Sequence, residues 1–142
     1  MSNSKKALRT LLRVTQMSQL RLHRYIRASK QPDVRRALEQ QFRECGAIER
    51  EVHAVASQRG WELPEPDPAS RIFILALTSL RLQLRNRDSR IAGSTIRDSA
   101  NNMILAFTHL HRLSQRDIVL KSLFQKLLDS ETACIRRMQV FL

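Results

Sequence analysis

SKKALRTLLRVTQMSQLRLHRYIRAS, the stretch from Ser4 to Ser29, decides how the chain reads. Leu8, Leu11, Leu12, Leu22, Tyr25 and Ile26 fall on one broad face at helical steps, and Lys6, Arg9, Arg13, Arg24 and Arg27 fall on the opposite face. That period belongs to an amphipathic helix; a strand would alternate at every second residue. Eight Lys and Arg lie between Lys5 and Lys30, and the first acidic residue of the chain is Asp33. Met17 and Leu20 sit in the basic row, between the Arg9/Arg13 and Arg24/Arg27 clusters.

The rest of the chain extends the same pattern. Pro32 opens a second helix, with Asp33 placed at the positive end of its dipole. Val34, Leu38, Phe42, Cys45, Ile48 and Val52 follow at three- and four-residue steps, and Gly60 is expected to close the helix in a left-handed conformation. Pro64, Pro66 and Pro68 forbid a helix across the connector that follows. Asp67 as cap and Pro68 as first residue then start a short third helix to about Arg85. A break at Asn86-Arg87-Asp88, with Asp88 or Ser89 as cap, begins a fourth helix to about Leu113. Ser114 with Asp117 approximates a capping box for a fifth. Four segments longer than twenty residues and one short one predict a single all-α domain over 1–142. The expected arrangement is a four-helix bundle with the short helix in the long crossover between its second and third members.

Composition narrows the function. Three glycines and four prolines in 142 residues leave little turn chemistry for a sheet. The longest apolar run, Ile72 to Leu77, is far short of the ~20 residues that cross a bilayer. Arg9 and Arg13 interrupt any signal-peptide core, so the cytoplasm is the expected compartment. Two cysteines, Cys45 and Cys134, read as buried small hydrophobes rather than a disulfide framework. A formal charge of +12 favours anionic partners: nucleic acid, acidic protein or an anionic membrane surface.

A helix ending in Tyr25-Ile26-Arg27-Ala28-Ser29, a Pro-Asp step, Phe42 with Glu49-Arg50, Gly60, the proline-rich connector, a short helix at Ile72 to Leu84 and two long helices meeting at Ser114 resemble a ferritin-like family of bacteria. Its relevant members are short ferritin-like proteins of unknown function and spore-coat-like bundles. The resemblance covers nearly the whole chain. It implies a ferritin-like bundle, a stress or spore setting, and a metal centre of inward glutamates and Glu-x-x-His pairs. The ligand positions, however, are degenerate. Glu49 and His53 are four apart, Arg97-Asp98-Ser99-Ala100-Asn101-Asn102 stands where an inward glutamate is sought, and Glu131 is followed three residues later by Cys134 instead of histidine. Two carboxylates do not balance two divalent ions, so no cofactor is expected; Glu49, His53 and Glu131 are the weak metal candidates.

Other chemistry has less support. His109 and His111, two apart, point to different faces, and no glycine-rich phosphate loop occurs. Neither cysteine has a histidine placed beside it. The leading expectation is a non-catalytic, structural or protein-interaction bundle, with self-association as a two-fold homodimer the simplest assembly. The first alternative is a polyanion-binding module that binds nucleic acid through non-specific charge. The binding surface in either case is Lys6, Arg9, Arg13, Met17, Leu20, Arg24 and Arg27. The second alternative is a metal-binding bundle with an atypical site.

Overall fold

The computed structural model describes residues 3–65, 67–82, 87–113 and 115–142. Among them the regular structure is entirely helical: α1 (Asn3–Ala28), α2 (Pro32–Gln58), α3 (Pro68–Arg81), α4 (Arg87–Arg112) and α5 (Ile118–Gln139). At ~1.5 Å per residue the four long helices each span over 30 Å, and α3 about 20 Å.

Helices α1 and α2 form one hairpin, and α4 and α5 another. The bonds Asn102–Ser18, Tyr25–Asp98 and Ser29–Asp88 rise along α1 while falling along α4, so those two helices run antiparallel. Gln41–Ser130 and Lys126–Glu51 place α2 beside α5 in the same antiparallel sense. The chain therefore crosses the molecule once between its hairpins, and α3 lies in that crossover, packed on α1.

Local chemistry explains the boundaries. Pro32 and Pro68 occupy first-turn positions, where a missing N–H costs no helical bond. The Asp67 carboxylate accepts from Ala69 N–H at 3.2 Å, as an N-cap should. Gly60, at φ +66°, allows its own N–H to reach Ser57 O and Trp61 N–H to reach Ala56 O at 2.8 Å, a Schellman closure. Trp61 then folds back onto the core, under the Arg59 guanidinium.

Two helix starts differ from expectation. The residue capping α5 is Asp117, whose carboxylate accepts from Leu120 N–H; Ser114 lies outside the described residues. Asp88 sits inside the first turn of α4 without capping it. Its carboxylate instead accepts from Ser29 Oγ at 3.0 Å, Lys30 N–H at 3.1 Å and Gln31 N–H at 2.8 Å. A side chain from α4 thus satisfies the corner between α1 and α2, where Gln31, the residue before α2, provides no side-chain cap. The third helix ends at Arg81, and residues 83–86, where its expected end and the following break fall, lie outside the described residues.

Among the described residues the interior has two apolar clusters. One gathers Leu8, Leu11, Leu12, Val52, Leu120, Phe124 and their neighbours. The other gathers Leu22, Tyr25, Val34, Leu38, Ile91 and Met138, with both cysteines. Between them runs a polar layer.

Candidate functional site

Ser18 of α1, Ser99 and Asn102 of α4, and Ser130 and Glu131 of α5 are all buried at that layer. They occupy helical positions between the residues of one apolar cluster and those of the other. Asn102 Nδ2 donates to Ser18 Oγ at 3.0 Å and to Glu131 Oε1 at 3.2 Å, tying three helices through one amide. Glu131 is 2% exposed. Burial pushes its carboxyl above the ordinary range; hydrogen bonds from Ser99 and Asn102 and the charge of Arg21 oppose this, and Asp98 adds to it. Beside it is a cavity of about 20 Å³, with room for a single water. At its edge, Asp98 accepts from Tyr25 Oη and pairs with Arg21 at 3.4 Å.

The three metal candidates do not come together. Glu131 is enclosed by hydroxyl and amide partners. Glu49 faces α1, where Gln16 and Gln19 each donate to it at 2.9 Å, and the exposed His53 lies 3.6 Å from its carboxylate. Among the described residues no group of three or more His, Cys, Asp and Glu is placed to hold a metal ion. His109 stacks on Phe124, and His111 meets Phe107 edge-on.

The cysteines are buried free thiols. Burial, reinforced by the Glu131 charge, pushes Cys45 far above the thiol range; Cys134 is pushed up to about 11, mainly by burial. Such thiols stay protonated and are poor nucleophiles.

At the surface, Lys6, Arg9, Arg13, Arg24 and Arg27 are exposed, but Met17 is buried and Leu20 half-buried. The expected open apolar centre of the basic row is therefore covered. One groove brings Met17 and Arg13 of α1 together with Phe73 and Ile74 of α3 and Leu105 of α4; a second brings Met17 and Leu20 together with Glu65 and Arg71. The connector and α3 lie over the centre of the row, leaving its cations at either end.

That cover is itself apolar on its outer side. Ile72 is 68% exposed, Phe73 66% and Leu80 62%, with Ala76 and Leu77 exposed on the same helical face. The inner side, Ile74, Leu75 and the buried Thr78, meets the bundle. A helix that is apolar all round is ordinarily buried; α3 lies on the outside. The sequence reading passes over this face because it weighs Ile72–Leu77 only against the length that crosses a bilayer. The signal available was the paucity of polar residues from Ile72 to Leu82.

No family model matches the sequence, and no curated protein does. A crystal structure of a DUF305 fragment from Deinococcus radiodurans shares the fold, with a TM-score of 0.77 and 13% sequence identity, over 99% of this chain and 95% of that one. At that identity the likeness establishes the fold alone. It overturns the expected kinship with a ferritin-like family, since DUF305 is a different family. The residues that suggested the kinship have local explanations: Tyr25 is a core side chain bonded to Asp98, Glu49 anchors two α1 amides, and Gly60 closes a helix. What holds is an all-helical bundle, in which no described helix is long and apolar enough to cross a membrane.

Proposed function

We propose that this protein is a non-catalytic interaction module, in which the bundle is a scaffold that presents the outer face of α3 to another surface. The observation that carries the reading is the row Ile72, Phe73, Ala76, Leu77 and Leu80, exposed on one side of a helix whose other side packs on α1. Contiguous apolar surface of this kind is uncommon on a monomer that binds nothing. A scaffold role also suits the interior, where Ser18, Asn102 and Glu131 are bonded to one another and burial holds both thiols protonated.

Ile72→Ser/Phe73→Ser tests this. A docking face contributes little to the fold of the isolated chain, so Tm should stay within a few degrees of wild type while binding of an apolar fluorescent dye falls by at least half. A large loss of Tm in the double variant would show that the face belongs to the core and would remove the reading.

A second reading, polyanion binding through Lys6, Arg9, Arg13, Arg24 and Arg27, is favoured by the exposure of all five side chains. It requires affinity for duplex DNA that falls steeply with salt. Weak or salt-insensitive binding eliminates it.

A further inference from the structure

We propose that the outer face of α3, with the cations at either end of the α1 row, docks on the surface of an anionic lipid bilayer. This rests on the docking reading above and names its partner. Three features lead to it.

The apolar groups project outward instead of lining a deep cleft. Ile72, Phe73 and Leu80 each expose more than three-fifths of their surface, so they suit entry into a soft apolar layer. A helix of 14 residues is too short to span a bilayer but has the length of one that lies in its interface.

The cations lie around this face. Met17 and Leu20, beneath α3 and its connector, share one helical row with Lys6, Arg9, Arg13, Arg24 and Arg27. Lys6 and Arg9 therefore lie ahead of the start of α3 along α1, Arg13 lines its edge, and Arg24 and Arg27 lie beside its C-terminal half, where Leu82 packs with Leu22 and Tyr25. Arg71 is exposed on α3 itself, and Arg87 Nε donates to Leu82 O just past its C-terminus. Glu62, Glu65 and Asp67, exposed ahead of α3, oppose this charge without cancelling it.

The whole-chain charge of +12 discriminates among occupants. A second copy brings the same cations to the same face across a two-fold axis, and they repel. Duplex DNA satisfies the arginines but offers no apolar layer to Ile72 and Phe73. An anionic bilayer supplies both headgroup charge and acyl chains, and each basic residue near such a surface strengthens attraction several-fold.

The test is flotation of the full chain with vesicles of phosphatidylcholine and phosphatidylglycerol in equal parts, against pure phosphatidylcholine, at low and high salt. The expected result is binding at least ~tenfold tighter to the anionic vesicles and weakened by salt. Ile72→Ser/Phe73→Ser should bind ~tenfold or more weakly, since two buried apolar side chains are lost. Arg9→Gln/Arg13→Gln, which leaves the apolar face intact, should reduce binding to anionic vesicles only. No vesicle binding, equal binding to both compositions, or wild-type binding by the serine variant overturns the proposal. Duplex DNA bound in preference to vesicles overturns it as well. A dimer that the serine variant abolishes, without vesicle binding, rejects the lipid surface but keeps the docking face; a serine variant that unfolds rejects the docking face itself.

Discussion

Asp117→Ala should destabilise the protein by about 2–3 kcal/mol at neutral pH, and the loss should fade in acid. The Asp117 carboxylate accepts Leu120 N–H at the start of α5, Arg59 Nη1 and Nη2 at 3.0 and 2.9 Å from the end of α2, and Ser4 Oγ at 2.9 Å from the start of α1. Removing an N-cap costs ~1 kcal/mol. A forked Arg–carboxylate pair at a half-buried site adds ~1 kcal/mol and the hydroxyl bond somewhat less; sharing one carboxylate keeps the sum below simple addition. The pKa gives a separate route. The Arg59 hydrogen bonds, helped by those from Ser4 and Leu120 and opposed by burial, hold the carboxyl at about 2 against an ordinary 3.8. At ~1.4 kcal/mol per pKa unit that drop is worth about 2.5 kcal/mol, reduced to ~1–2 kcal/mol by solvent around Arg59. A carboxyl whose pKa is lower in the folded state stabilises above its unfolded pKa. The contribution therefore operates above about pH 4 and disappears as pH falls toward about 2. Thermal unfolding from neutral to acid pH reads both effects: Tm should fall by ~10 °C at neutral pH, and the gap should narrow below about pH 4. An unchanged neutral Tm, or a gap as wide in acid as at neutrality, would refute the assignment of Asp117 as the tie between three helix ends.

Asp88→Asn should cost ~2–3 kcal/mol, because a single amide oxygen cannot accept from Ser29, Lys30 and Gln31 together; denaturant titration reads the change. Burial alone would raise the Asp88 pKa, but those hydrogen bonds hold it below the ordinary value, so this loss too should shrink as pH falls below about 4. Glu131→Gln should stabilise at neutral pH. The folded-state pKa of Glu131 is raised, so wild type loses stability as pH rises above the ordinary glutamate value; the gain in Tm should vanish below about pH 4. Cys45 and Cys134 should be unreactive toward a thiol reagent in the native protein and titrate fully after unfolding; fast native labelling would contradict their burial.

Elements governed by local chemistry were legible in the sequence. Pro32, Gly60, Asp67 and Pro68 act through their own backbone or the next turn, and each stands at the helix end where spacing placed it. Elements governed by contacts distant in sequence were not. The destination of the Asp88 carboxylate lies 57–59 residues back, at a corner whose need for an acceptor no pattern in α4 reveals. The burial of Met17 follows from a segment some fifty residues later folding over it. Glu49, His53 and Glu131 illustrate the same gap, since spacing cannot tell a carboxylate turned toward α1 amides from one enclosed by α4 hydroxyl and amide groups. The ferritin-like resemblance arose from the order and lengths of helices, which constrain fold far more than ancestry or ligands.

Polar ties hold the four long helices in register. Asp117 joins α1, α2 and α5 at one end, Asp88 joins α4 to the α1–α2 corner at the other, and Asn102 joins α1, α4 and α5 in the middle. These bonds are directional, so sliding one long helix against another breaks them, whereas apolar contact alone would tolerate a shift. In α3 the hydroxyls of Thr78 and Ser79 bond back to Ile74 and Leu75 of the same helix, and Phe73 and Ile74 share a groove with Met17 of α1. The least polar helix of the chain thus packs on a bundle whose register is set by the polar bonds of the long helices.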